Sequence, residues 1–301
     1  LKKIFIIVYL TISAALTPVA AKYVVEQVSP LSLAFFRFGL ATVILIVVFL
    51  IRNLNFKIDK KDLPKFLFLG ALVIPVNQFF FLEGIKLSTA SFSGVMYACT
   101  PLFIYIIAIF RNDETFYKTK MISIALSITG IVLIFWEGLM RANSAGLSTL
   151  TGDAFLFFAV LSWSFYLALS KNPIAKYGTL KTSTIAFIIG MIFYIPVFIF
   201  DYKNFTLAKL DIYGFIGFFY LSVLVAFGGY FIYSYSTKIV PTSTLTTLTN
   251  SSPIITIIFS YILLKEDLSY FFLIGSIVTI LGVFIASRVD KKLLKVSILN
   301  E

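Results

Sequence analysis

Ten stretches of this chain run for about twenty residues with few or no charged side chains. They lie near residues 4–22, 30–51, 64–85, 89–110, 119–137, 153–171, 182–200, 212–236, 242–264 and 268–287. A bilayer core of about 30 Å needs about 20 mostly apolar residues as helix, so each stretch is long enough to cross. A closed barrel is the other way to satisfy backbone groups in lipid, but its strands alternate apolar and polar residues, and these runs are continuous. The pattern predicts an all-α polytopic membrane protein with ten transmembrane helices. The first stretch, "KKIFIIVYLTISAALTPVAAK", passes directly into further apolar segments and reads as the first membrane helix, not as a signal peptide.

Two of the runs break the pattern in the same way. "STASFSGVMYACT" precedes Pro101, and "TSTLTTLTNSS" precedes Pro253, 152 residues later. The same shift of 152 sets Lys86 on Lys238, Ser91 on Ser243, Glu114 on Glu266 and Gly130 on Gly282, without a gap. The chain is therefore expected to hold two five-helix repeats, residues 1–140 and 152–290. Five is odd, so the second repeat must run through the membrane upside down, a recurrent design with its site at mid-bilayer. If residues 253–264 alone formed the ninth helix, it would be about 18 Å long and too short to cross. The polar halves of the fourth and ninth spans are thus expected at membrane depth, entering from opposite faces and facing water or protein. Pro101 and Pro253 would kink these helices and free the carbonyls of Tyr97 and Thr249 as acceptors for a substrate.

Composition agrees with lipid as the solvent. Hydrophobic residues make up 59% of the 301 and charged ones 13%, against about 25% charged in a soluble domain. The net charge of +11 sits in short loops between apolar runs, which argues against a nucleic-acid partner. With the N-terminus inside, inner segments carry 18 Lys and Arg and outer loops 6, which predicts a cell-membrane protein with both termini cytoplasmic. The chain has no histidine and one cysteine, Cys99. The usual general base, zinc ligand and proton shuttle are therefore missing, and no catalytic residue, metal site or cofactor is expected.

"SPLSLAFFRFGLA" (29–41), "GDAFLFFAVLSWSFYLALS" (152–170), the two Pro-centred spans and the two repeat tails, beginning at Glu114 and Glu266, together resemble the EamA-type branch of the drug/metabolite transporter superfamily. The resemblance covers nearly the whole chain. It implies two inverted five-helix halves around a cavity lined mainly by spans 1, 3, 4, 6, 8 and 9. It also implies transport of small metabolites, often export of amino acids or related compounds. The family often has glycine before the tail glutamate; Asp113 and Lys265 stand there here. Other branches use a first-helix glutamate for proton exchange or basic cavity residues for sugar phosphates, and this chain shows neither clearly placed. A lipid-linked sugar flippase of the same superfamily is the alternative reading, and an intramembrane enzyme a more distant one.

On the implied cavity helices, the polar and aromatic groups at mid-depth are the candidate substrate contacts. They are Ser13 and Thr17 on span 1, Asn77 and Gln78 on span 3, and Tyr97 and Thr100 on span 4. Trp163 and Tyr166 on span 6, Tyr230 on span 8, and Asn250 and Ser251 on span 9 complete the set. Together they would line a wide, nearly neutral pocket for a small molecule with apolar and hydrogen-bonding parts. Arg37, about 10 Å inside span 2 at helical rise, is expected to form a structural ion pair with Glu83. Ser123, Gly130, Gly275 and Gly282 let two helices approach closely, within one chain or between two copies in a homodimer. No carboxylate sits at the centre of a span, so substrate binding should depend weakly on pH between about 6 and 8.

Overall fold

The computed structural model describes residues 2–141, 147–204, 209–229, 232 and 251–299. Nine helices among them are long and apolar enough to cross a membrane, and Ser252–Leu264 is a shorter apolar one. In chain order the spans are 1 (Lys2–Val25), 2 (Pro30–Ile51), 3 (Lys60–Leu87), 4 (Ala90–Phe110), 5 (Lys118–Arg141), 6 (Leu147–Tyr177), 7 (Thr179–Asp201), 8 (Ile212–Gly229), 9 (Ser252–Leu264) and 10 (Tyr270–Leu299). The polar half of span 9, residues 242–250, lies outside the described residues. Among the described residues the fold is all-α, with ten helices arranged as two inverted five-helix repeats.

Inversion is visible in which helices pack. Repeat-equivalent helices meet in pairs: span 2 with 7, 4 with 9, and 5 with 10. Packing of span 3 on span 6 is mirrored by packing of span 8 on span 1. The closest pairing is 5 with 10. Ser127 donates to the Thr279 carbonyl at 3.0 Å, and Thr279 returns a bond to the Ser127 carbonyl at 3.3 Å. These residues are 152 apart and so repeat-equivalent. A Cβ at Gly282 would lie 2.6 Å from the Ser123 carbonyl oxygen, and one at Gly130 would lie 2.7 Å from the Thr279 nitrogen. As the index rises on span 5 it falls on span 10, so the two run antiparallel. Two equivalent helices can meet antiparallel, like on like, only if the repeats are related by a two-fold axis across the helices. The glycine and serine stripe is thus used inside one chain and supplies no argument for a dimer. Ile128, Val132 and Trp136 on the other face of span 5 are exposed, as a lipid-facing surface requires.

The turns at the predicted outer face are held by side chains that cap helix ends. Asp201, at the end of span 7, accepts from the Ser29 hydroxyl and from the Ser32 nitrogen (3.0 Å) and hydroxyl (2.7 Å) at the start of span 2. Glu266, before span 10, accepts from the Ala90 nitrogen (2.6 Å), the Ser91 nitrogen (3.0 Å) and the Ser91 hydroxyl (2.6 Å) at the start of span 4. Free N–H groups and the helix dipole both favour a carboxylate there. Asp211 caps span 8 by accepting from the Gly214 nitrogen at 2.6 Å. The Tyr23 hydroxyl, and then that Gly214 N–H, hold the Asp211 carboxyl below the usual carboxylate range. At the opposite face Lys176 bridges Asp59 and Asp62, and Tyr177 donates to Asp62 at 2.7 Å, tying the 2–3 loop to the end of span 6. Glu266→Gln should lower stability by about 1 kcal/mol, the usual size of a helix cap. An unchanged thermal midpoint in detergent would show that the carboxylate's charge contributes nothing.

Candidate polar site at mid-depth

Spans 3 and 8 both depart from α-helix at repeat-equivalent places. Span 3 widens to π-helix over Leu72–Val76, around Pro75, and span 8 over Tyr220–Gly229, ending in Gly228 and Gly229. Shifting the first segment by 152 puts it on 224–228, inside the second. A π-helix skips the regular i→i−4 register and turns carbonyls toward neighbours. Those carbonyls are bonded from other spans. Leu72 accepts from Ser162 at 3.0 Å, Leu221 from the Arg37 Nε at 3.1 Å, and Leu224 from the Tyr9 hydroxyl. Short π segments cluster at functional sites, and these flank the candidate residues.

The amides on span 3 anchor a relay across five spans. Arg37 Nη1 donates to Gln78 Oε1 at 3.3 Å, and Gln78 Nε2 donates to Asn77 Oδ1 at 2.7 Å. Asn77 Nδ2 donates to the Ala159 carbonyl on span 6 at 2.8 Å and to the Tyr97 hydroxyl on span 4 at 3.4 Å. With Leu221 on span 8 at the arginine end, spans 2, 3, 4, 6 and 8 are joined. Asn77 lies ten residues from the end of its span and Tyr97 seven from the start, each about 10–15 Å deep at helical rise. Arg37, Asn77 and Gln78 are buried at 4%, 2% and 5% exposure, whereas Tyr97 is partly exposed. The Tyr97 ring meets Phe81 edge-on at 5.7 Å.

A second cluster lies between spans 1 and 8. Thr17 donates to the Ser13 carbonyl at 2.6 Å, and Tyr220 donates to the same oxygen at 3.0 Å. Trp163 and Tyr166 stack on span 6, with ring centroids 5.3 Å apart. Span 4 breaks between Ala98 and Thr100, so Pro101 occupies the second residue of a new helix. Pro253 holds the equivalent place in Ser252–Leu264, a position where proline's missing N–H costs nothing. Thr100 is buried, and its hydroxyl donates to the Tyr97 carbonyl at 2.7 Å. The acceptor freed by Pro101 is therefore already engaged within the helix. Ser251 is exposed at the start of span 9, while Tyr230 and Asn250, like Thr249, lie outside the described residues.

Arg37 donates to Gln78 and to the Leu221 carbonyl. Sequence reasoning did not rank two buried carboxylates, Asp153 and Asp201. Asp153, at the start of span 6, accepts from the Ser88 hydroxyl in the 88–89 turn. Their positions near helix ends concealed them, because depth is not readable there from hydropathy alone. Among the described residues no cluster of three or more His, Cys, Asp or Glu could hold a metal ion.

A family model, that of the EamA-like transporter family, matches residues 1–136 and 150–288. The chain belongs to the EamA-like transporter family. The protein named "Uncharacterized transporter YyaM" of Bacillus subtilis (strain 168) is 28% identical over 89% of this chain and 88% of its own length. An "Uncharacterized transporter" of Archaeoglobus fulgidus is 26% identical over 89% of this chain and 92% of its own. A solved crystal structure shares the fold with a TM-score of 0.64 at 14% identity, covering 96% of this chain and 97% of that one. The EamA-like chain is thus a multi-pass membrane transporter, with a lipid bilayer as its surroundings and a small molecule as its substrate.

Proposed function

We propose that this transporter moves small metabolites, amino acids or related compounds, out of the cell by alternating access at the mid-depth site. Both termini then face the cytoplasm of a cell-membrane protein, as the Lys and Arg bias indicates. The repeats 1–140 and 152–290 would rock against each other about that site. The observation that carries this reading is the relay from Arg37 to Tyr97, which ties side chains of the first repeat to backbone carbonyls of the second, Ala159 and Leu221, at mid-depth. Tyr97, with Ser13, Thr17, Thr100, Trp163, Tyr166, Tyr230, Asn250 and Ser251, forms the proposed substrate surface, and the amides of Asn77 and Gln78 back it by holding Tyr97. Arg37 is structural in this reading, and Glu83 on the neighbouring span balances its charge.

Counterflow into proteoliposomes with labelled amino acids, nucleosides and sugars tests the proposal. Uptake of an amino acid supports it; uptake confined to sugars or nucleosides overturns the substrate class. With the best substrate, Asn77→Ala and Tyr97→Ala should each lower the rate at least about tenfold, equivalent to about 1.4 kcal/mol. Full rates in both variants would remove the relay from the site.

A further inference from the structure

The direction of the relay is fixed at both ends by groups with only one hydrogen-bonding capacity. Arg37 is an obligate donor, so the oxygen of Gln78 must face it and the Gln78 nitrogen must face Asn77. The Ala159 carbonyl is an obligate acceptor, so the Asn77 nitrogen must face it. Each constraint orients both amides the same way, and the ambiguity that usually attends an amide side chain disappears. The Tyr97 oxygen therefore accepts a hydrogen bond from Asn77, and the phenol's own O–H is left to donate to another partner. Tyr97 is also the member of the chain that is not fully buried. A guanidinium at the far end polarises every bond toward Tyr97 in the donating sense.

We infer that Tyr97 presents a hydrogen-bond donor to the transport site, so the site selects substrates by an acceptor group, a carboxylate or carbonyl, attached to an apolar body. Arg37, Gln78 and Asn77 are positioning residues that set this polarity. The inference rests on the proposed transport site and names what that site recognises. The buried Phe81 ring packs edge-on against Tyr97 and fixes the orientation of the phenol.

The test uses the purified full chain and thermal-shift binding of three probes with a common phenyl body: L-phenylalanine, 3-phenylpropionate and phenethylamine. Parallel isobutyl and indole series of acid, amino acid and amine broaden the range. In at least one series the amino acid and the acid should bind, and the amine should bind at least tenfold more weakly. Tyr97→Phe keeps the ring contact and should erase that preference. In Asn77→Asp the new carboxylate captures the Tyr97 proton, so the acid-over-amine ratio should fall as far as in Tyr97→Phe. The double variant should be no worse than Tyr97→Phe alone. A purely structural role at position 77 would weaken acid and amine alike and leave their ratio unchanged, which would overturn the positioning claim. Amines that bind as well as acids in the unaltered protein would overturn the donor assignment and leave the transport reading intact. No shift with any member of any series would sink the amino-acid reading and this inference with it.

Discussion

Leucine in place of Gly282, or of Gly130, should prevent the chain from accumulating as a folded, monodisperse protein. A Cβ at Gly282 would stand 2.6 Å from the Ser123 carbonyl oxygen and 2.8 Å from the Ser127 nitrogen. Both are backbone atoms of span 5, and backbone cannot swing aside as a side-chain tip can. Overpacking of this kind typically costs about 1–3 kcal/mol and sometimes more. The extra bulk would also part Ser127 from Thr279, removing both reciprocal bonds. Helices in lipid gain nothing from hiding apolar surface from one another, so packing and such bonds, about 0.6 kcal/mol each on average, hold the pair together. A loss near the top of that range is a large share of a typical stability of about 5–15 kcal/mol. Size-exclusion profiles and thermal midpoints in detergent would read the effect. Gly229→Ala is the control: a Cβ there meets no described residue within 4 Å, and its profile should match the parent. Normal profiles for both leucine variants would mean that spans 5 and 10 do not pack through this stripe.

The same stripe shows how much the sequence disclosed. The spacing of Ser123, Gly130, Gly275 and Gly282 was readable, but whether it joined two helices or two chains was not, because one sequence has no partner in view. Span 2 was readable to its ends, 30–51, since an apolar run there is bounded by polar turns on both sides. Span 6 was expected at 153–171 and runs Leu147–Tyr177. Hydropathy measures the lipid-covered portion of a helix, whereas hydrogen bonding carries the helix on into water at both ends. The π segments were signalled only by Pro75 and by Gly228–Gly229, which allow several local geometries. In the site, the amides Asn77 and Gln78 stood out because they are costly in lipid. Their bonding partners, Arg37 and the Ala159 carbonyl, depend on helix rotation, which no periodicity in so uniformly apolar a segment reveals.

Valine at Gly94 should cut transport at least tenfold while leaving a folded protein. Gly94 lies where spans 1, 4 and 9 meet: its missing Cβ would be 2.8 Å from Thr256 Cβ, and Thr256 donates to the Ala15 carbonyl of span 1 at 2.8 Å. Around it Ala90–Met96 are all buried, and the Ser91 and Ser260 hydroxyls meet across spans 4 and 9. The half of span 4 at the predicted outer face is therefore closed in this structure. On the alternating-access reading the opposite state must part these helices, so a bulky residue at 94 penalises one state and spares the other. A penalty of about 1.4 kcal/mol shifts the equilibrium tenfold, within the range that overpacking produces. Ser93 offers the readout, since it is fully buried and its hydroxyl has no partner among the described residues. A cysteine at Ser93 should resist a membrane-impermeant thiol reagent in the parent and react from the predicted outer face in the Gly94→Val background. The native Cys99 is buried at 1% exposure and should contribute little background. Equal labelling in both backgrounds, with transport retained, would show that the contact between spans 4 and 9 stays shut throughout the cycle and that the gate lies elsewhere.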